Sequence, residues 1–350
     1  AFTVIDALSK LFMLLVHLAD KEAGAVQLLN RILTAVVRTL KDDHEAKKAS
    51  GPKVMFDQRP YFRLLSNLSQ TLGAPSPQKE LSPKELAILN TYSHVFLLLV
   101  PPQVPGFAFA WLQLISHRSF MPQLLLVKGQ KGWPYMHRML ISLLVFLQPF
   151  LRGAQLNEAI RKLYKGMLRV LLVLLHDFPE FLSEYHVSFC DAIPPTCVQL
   201  RNLVLSAFPR SMRLPDPFTR SLNVETLPEM AQSPKILADY ANALGNMKKR
   251  LDNYLQTKQP AEFPGLIPQV LSSGGTYNVT LISVLTLYVG SKDIELQSGN
   301  SFQTPPAKEI FKLLMHTLDP EGRHHVLNAM ANQLRYPNSH TRYFMRLLLT

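Results

Sequence analysis

Apolar residues recur at spacings of three and four through residues 4–19 and 25–40, with a short polar joint at 20–24, which predicts an antiparallel pair of helices. Residues 41–57 are rich in charge and contain Ser50-Gly51-Pro52, so an exposed and mobile loop is expected there. A third helix is expected over 59–72, stopped by Gly73-Ala74-Pro75. Ser82-Pro83 with Glu85 has the chemistry of the next helix start, and Pro101-Pro102 closes it. Residues 107–117 and 135–151 read as further apolar helices on either side of a turn at 129–134, with Phe109, Trp111 and Leu112 as packing anchors of the first.

The most apolar stretch follows. Between 168 and 175 only Arg169 is polar, so a helix there needs neighbours on most of its sides, and its remaining polar surface is one basic line: Arg161, Lys165 and Arg169 at i, i+4 and i+8. Asp177, Pro179 and Glu180 predict a new helix start, and Phe178, Phe181, Tyr185 and Phe189 gather their rings on one side of that helix before Pro194-Pro195 ends it. Thr196 is the expected cap of a helix through Ala207, which Phe208-Pro209 stops. Residues 210–218 combine Pro215 and Pro217 with Met212, Leu214 and Phe218, the composition of an extended apolar strap laid across helices.

Beyond residue 218 the texture loosens. A short proline-marked segment at 222–233 precedes a helix over 234–257 that exposes Lys248, Lys249 and Arg250; residues 260–273, with three prolines and Gly265, read as a hinge between two lobes. Residues 277–289 suit either helix or strand by propensity, and their spacing and length favour helix. A polar loop over 292–306 and helices at 307–318, 320–335 and from 339 onward complete the reading. With no strand pair and no fixed period, the expected fold is all-α, an irregular HEAT-like helical-repeat stack. Its expected lobes are 1–218, ending in the strap, and 219–350, continuous with the first. Residues 1–20 look superficially like a secretion signal but lack a basic leader and a small-residue cleavage site, so they read as the first helix of an excised fragment. The unbroken amphipathic pattern at 342–350 reads as truncation at the other end.

Composition supports a covered interior: 47% of the 350 residues are hydrophobic and only 18% charged. No apolar run reaches the ~18 residues of a membrane span, so none is expected. Two cysteines, Cys190 and Cys197, are too few for a disulfide framework or a zinc site and fit a reducing compartment. The formal charge of +12 invites a polyanion, but the basic residues are scattered and no aromatic-and-basic RNA motif is present. Direct RNA binding therefore stands as the alternative to a solvated basic surface or an acidic protein partner.

Catalytic signatures are missing: no phosphate-cradling glycine loop, GxSxG or HExxH occurs, and no enzyme activity or cofactor is expected. Adjacent His324 and His325 would point about 100 degrees apart on a helix, a poor metal pair. His176-Asp177 at a helix end fits a structural role better than general-base chemistry. Interaction chemistry is richer. Arg210, Arg213 and Phe218 on the strap, Tyr336, Pro337, Asn338 and His340 before the last helix, and the line of Arg161, Lys165 and Arg169 are the candidate partner-binding residues. Each has a plainer alternative, as an internal staple or as a solvated face.

Seven ordered blocks also carry a resemblance: PGFAFAWLQLISHRSFMP at 105–122, KGWP at 131–134, LYKGMLRVLLVLLHDFPEFL at 163–182, FCDAIPP at 189–195, QLRNLVLSAFPR at 199–210, MRLPDPF at 212–218 and ANQLRYPNSHTRYF at 331–344. Together they are similar to the C-terminal homology region of the Not-one scaffold family of the CCR-NOT mRNA deadenylation complex. The resemblance implies a HEAT-like helical stack that is a non-catalytic scaffold. It implies two kinds of partner, the Not-two and Not-three/five subunits bound as a heterodimer and short linear motifs of mRNA-specific repressors. The implied process is mRNA deadenylation, decay and translational repression, with the nuclease supplied by other subunits and with a cytoplasmic and nuclear location expected. It assigns no individual contact residue.

Overall fold

The computed structural model describes residues 2–19, 22–51, 55–72, 81–153, 156–210, 212, 216, 218–223, 226–232, 244–273, 275–296, 305–335 and 337–349. Among these the fold is all-α, as expected, with seventeen α-helices and one antiparallel strand pair of two residues each. The chain forms two compact units, Ala1–Arg210 and Ser211–Thr350.

The first unit holds α1 (Thr3–Leu18), α2 (Glu22–Ala49), α3 (Arg59–Leu68), α4 (Pro83–Leu98), α5 (Ala108–Ile115), α6 (Met121–Leu126), α7 (Trp133–Arg152), α8 (Glu158–Asp177), α9 (Pro179–Glu184), α10 (His186–Ala192) and α11 (Val198–Leu205). α1 packs on α2 and α3, and Arg63 of α3 reaches Asp6 of α1 at 2.8 Å. That bond, with one from Asn67, holds the Asp6 carboxyl below its usual value. The expected loop at 41–57 is a correction, because α2 runs on through it to Ala49. Nothing between 41 and 49 breaks a helix, Arg38 and Asp42 face each other at 3.9 Å one turn apart, and the chain turns only at Gly51, whose φ of 85° suits a residue without a side chain. His44 is then buried within α2 and accepts the Gly106 N–H.

Ser82 and Glu85 form the expected reciprocal cap at the start of α4. Trp111 is fully buried as expected, its indole N–H donating 2.8 Å to the Phe96 carbonyl. The short helix α6 was not anticipated; Pro122 sits in its first turn, and Trp133 donates to the carbonyl of Leu125 near its end. Two expected caps are corrected. Asp177 closes α8 instead of opening a helix, its carboxylate taken by His176 Nδ1 at 2.6 Å, and Cys197 rather than Thr196 stands before α11. The helix expected beyond 177 is broken at Tyr185 into α9 and α10. Its rings still converge. Phe181 and Phe189 are fully buried, Trp133 meets Phe181 edge-on at 5.6 Å, and His137 stacks on Tyr185 at 4.2 Å.

The second unit contains α12 (Met247–Thr257), α13 (Phe263–Leu271), the strands β1 (Ser272–Ser273) and β2 (Thr276–Tyr277), α14 (Val279–Leu296), α15 (Pro306–Thr317), α16 (Pro320–Asn332) and α17 (Ser339–Leu348). The helix expected from 234 is described from Met247, and residues 233–243 lie outside the described residues. The hinge expected at 260–273 is a helix inside this unit, not a joint. Pro264 occupies the first turn, where its missing N–H loses nothing, and burial of Phe263, Ile267 and Leu271 at roughly 1.5–3 kcal/mol each outweighs the ~3 kcal/mol penalty of Pro268. Likewise α14 continues to Leu296 through the start of the expected loop, with Lys292 and Glu295 paired at 2.6 Å. α12 is tied to α15 where Glu309 receives both Lys258 at 2.6 Å and the Tyr254 hydroxyl at 2.9 Å. α17 lies against α14 with no room to spare: a β-carbon on Gly290 would sit 2.4 Å from the Phe344 ring.

Two substitutions report on this packing. Phe181→Ala is expected to lower stability by about 3–5 kcal/mol, seen as a lower thermal midpoint. Gly290→Ala, although favourable to an isolated helix, is expected to destabilise the second unit because Phe344 has to move; an unchanged melt would show that α17 is not seated on α14.

Candidate docking surface

α8 starts from Asn157, whose side chain accepts the Ile160 N–H at 2.9 Å, and buries one side formed by Leu163, Met167, Val170, Leu171 and Leu174. Its neighbours α5, α7, α9 and α11 cover that side. Arg161, Lys165 and Arg169 are exposed on the opposite side, in the order that their spacing predicts. The expectation that neighbours cover nearly all of the helix fails one turn further on, because Leu172 and Val173 are 52% and 42% exposed.

α11 runs beside α8 in the same direction. Cys197 at its start is close enough to Tyr164 to act on the phenol, whose pKa is raised by burial and then by that thiol. Beyond its end, Arg210 donates to the His176 and Asp177 carbonyls at 2.7 and 3.2 Å, while its own N–H meets Glu180 at 3.1 Å. Arg210 thus satisfies carbonyls that the end of α8 leaves open. Val198 and Asn202 of α11 are exposed, and Arg201 is half-buried.

The other candidates lie in the second unit or outside the described residues. Most of the strap, including Arg213, is outside them; Phe218 is described and is 90% exposed, its N–H held by Asp216. Tyr336 is also outside them, and Pro337 is half-buried. Asn338 caps α17, accepting the His340 and Thr341 N–H groups at 2.9 and 3.2 Å, while the Ser339 N–H donates to Gln232. His340 is buried with Nε2 3.3 Å from Ser291, and burial pulls its pKa from 6.5 to about 4. Asn338 and His340 are therefore engaged in seating α17.

The residues considered for catalysis do not converge. His324 and His325 have ring centres 5.8 Å apart, and His325 turns to Glu321 at 3.7 Å and to the Tyr277 ring. Among the described residues no group of three His, Cys, Asp or Glu could hold a metal. The clefts of the second unit are open and of mixed character. One of about 540 Å³ lies between α12 and α14 beside Lys248, Asp252, Tyr288 and Lys292, and one of about 310 Å³ is lined by Met247, Phe263, Leu266 and Val270.

Two surfaces escaped the sequence reading. α1 leaves Val4, Leu8, Leu11, Leu15 and Leu18 exposed along one stripe, a pattern legible as helical but assigned wholly to packing. Leu266 and Val270 stand one turn apart on α13, where the prolines predict a hinge.

The comparisons with known proteins are concordant. The family described as CCR4-Not complex component, Not1 matches residues 72–350. The CCR4-NOT transcription complex subunit let-711 of Caenorhabditis elegans is 41% identical over 371 residues, spanning 99% of this chain. The General negative regulator of transcription subunit 1 of Saccharomyces cerevisiae is 30% identical, again over 99% of this chain. The chain spans only 14% and 18% of those two relatives. A solved NOT1 superfamily homology domain from Chaetomium thermophilum superposes with a TM-score of 0.84 at 27% identity, covering 99% of this chain and 70% of that one. A second structure, described as the Not1 C-terminal domain in complex with Not4, gives 0.79 at 29% identity, covering 100% and 74%.

Two buried histidines predict a fold that loses stability in acid. His137 in the first unit and His340 in the second are held neutral by burial, which lowers the pKa of each from the ordinary 6.5 to about 4. A lowered folded value means that the stability associated with each is complete above pH 6.5 and is lost as pH falls towards 4. Thermal midpoints are expected to drop over that window, and His340→Gln is expected to flatten the fall for the second unit alone.

Proposed function

This chain belongs to the Not1 family of CCR4-Not complex components, and from that premise we propose that it is a non-catalytic scaffold segment that holds other protein subunits on the outer faces of its helices. The observation that carries the reading is the relative of the same fold described in complex with Not4, which matches this chain from end to end. The partners proposed are the Not-two and Not-three/five subunits as a heterodimer, a protein of the Not4 kind, and short motifs of mRNA-specific repressors. The process is mRNA deadenylation, decay and translational repression in cytoplasm and nucleus.

The physical support is the disposition of the surface. Helices buried on one side leave the other free, and extended or helical partner segments gain affinity there from many shallow contacts. The exposed aliphatic stripe of α1 and the face of α8 are of this kind.

A second reading, direct RNA binding, is favoured by the net charge of +12 and by the exposed cations of α8. Salt-titrated binding to poly(A) and to random RNA separates the two.

Mixing the purified chain with the Not-two and Not-three/five heterodimer is expected to give a co-eluting ternary species on size exclusion, with no nuclease activity in the chain alone. Failure to co-elute at micromolar concentration, together with tight and selective RNA binding at physiological salt, would replace the scaffold reading with the second one.

A further inference from the structure

Some cations of the first unit are paired with acids and others are not. Arg38, Arg59, Arg63 and Lys162 are each matched by an acid of the same unit, at distances from 2.7 to 3.9 Å. Arg161, Lys165 and Arg169 on α8, and Arg201 on the adjoining α11, have no carboxylate partner among the described residues. Nor is there local acid to supply one: α8 carries acids only at Glu158, already committed to Lys162, and at Asp177, bonded to His176, and α11 has none.

The same face then changes character. Leu172 and Val173 stand three and four residues beyond Arg169, on the same side of the helix one turn on. Both are about half exposed. At ~1.5 Å rise per residue the three cations are spaced roughly 6 Å apart along the axis, followed directly by the aliphatic pair.

We propose that this face of α8 and α11 receives an acidic amphipathic protein segment, with carboxylates at helical spacing against Arg161, Lys165 and Arg169 and aliphatic side chains against Leu172 and Val173. The inference rests on the scaffold reading and gives one of its docking sites a ligand chemistry. Charge sets the register and speeds the encounter, and the apolar turn excludes water from the contact. A nucleic acid strand satisfies only half of this face. Its phosphates would match the arginines, but Leu172 and Val173 would remain uncovered. Neither α8 nor α11 exposes a Phe, Tyr or Trp ring for a base to stack on, Tyr164 being half-buried, and the exposed imidazole of His176 is bonded to Asp177.

The test uses the whole chain and a labelled synthetic helical peptide with Glu at every fourth position over three turns, followed by two adjacent leucines. Fluorescence anisotropy is read at physiological salt. Binding is expected, weakened at least about tenfold by Glu→Gln in the peptide and by R161E with R169E in the chain, and several-fold by L172S. All of these chain positions are exposed, so a thermal melt is expected to show the variants folded. R161Q with R169Q serves as the milder pair should charge reversal disturb the fold. No binding, or binding indifferent to both arginine pairs, overturns the proposal. So does a poly(A) oligonucleotide that binds more tightly than the peptide through the same arginines, which would assign the face to RNA. Co-elution with the Not-two and Not-three/five heterodimer is scored separately. If co-elution persists while the peptide fails, only this inference falls; if the peptide binds while co-elution fails, the face stands and the heterodimer is removed from the partners.

Discussion

Most of the described helices are shorter than the ~12–15 residues at which an isolated helix becomes even marginally stable in water, so they persist by sharing one face with neighbours. That constraint organises each unit. Even α8, at 20 residues, shares a face in this way: Leu163, Met167, Val170, Leu171 and Leu174 are taken up by α5, α7, α9 and α11, and the opposite side is left with what the sequence places there. A helix used on one side only is at once a structural member and a surface. In α8 that surface is three cations and then two aliphatic residues, a combination that intramolecular packing did not require.

The periodic signal was legible wherever a helix buried a plain stripe and ended at a strong stop. The Ser82–Glu85 cap, the burial of Trp111 and the convergence of Phe181, Tyr185 and Phe189 follow from spacing and residue chemistry alone. What was illegible had specific causes. The charged residues 41–49 look like loop, but charge does not end a helix, and α2 continues until Gly51 permits a left-handed turn. Prolines at 264 and 268 look like punctuation, yet tertiary burial of Phe263, Ile267 and Leu271 outweighed local preference. Asp177 has a capping side chain, but His176 claims it first.

The candidate site was legible in part. The line of Arg161, Lys165 and Arg169 was readable because four-residue spacing fixes a common side of a helix, whichever side the neighbours choose. The exposure of Leu172 and Val173 was not, since the composition of 168–175 asks for cover and only the positions of α5, α7, α9 and α11 decide which residues receive it. Arg210 and Asn338 show the reverse case. Both had the chemistry of partner anchors, and both meet backbone within the fold, one at the carbonyl end of α8 and one at the amide end of α17. Helix ends carry unsatisfied backbone groups, so polar residues near them are drawn into capping before they are available to anything else.

The same division between an inner and an outer side governs how the face of α8 discriminates among partners. An exposed ion pair alone contributes ~0–1 kcal/mol and fades with salt, so three cations by themselves would attract any polyanion weakly and select none. Two half-exposed aliphatic residues alone are ordinary on a protein surface. Placed one turn apart on a helix braced by four neighbours, the two features impose a joint condition: the carboxylates of a partner and its apolar residues have to arrive in one register. Discrimination then arises from geometry held in place before the encounter, because little chain entropy remains to be lost on the α8 side when the contact forms. The inner face of α8 is thus what makes its outer face selective, since the buried leucines that seat the helix also fix the spacing at which charge and aliphatic surface are offered.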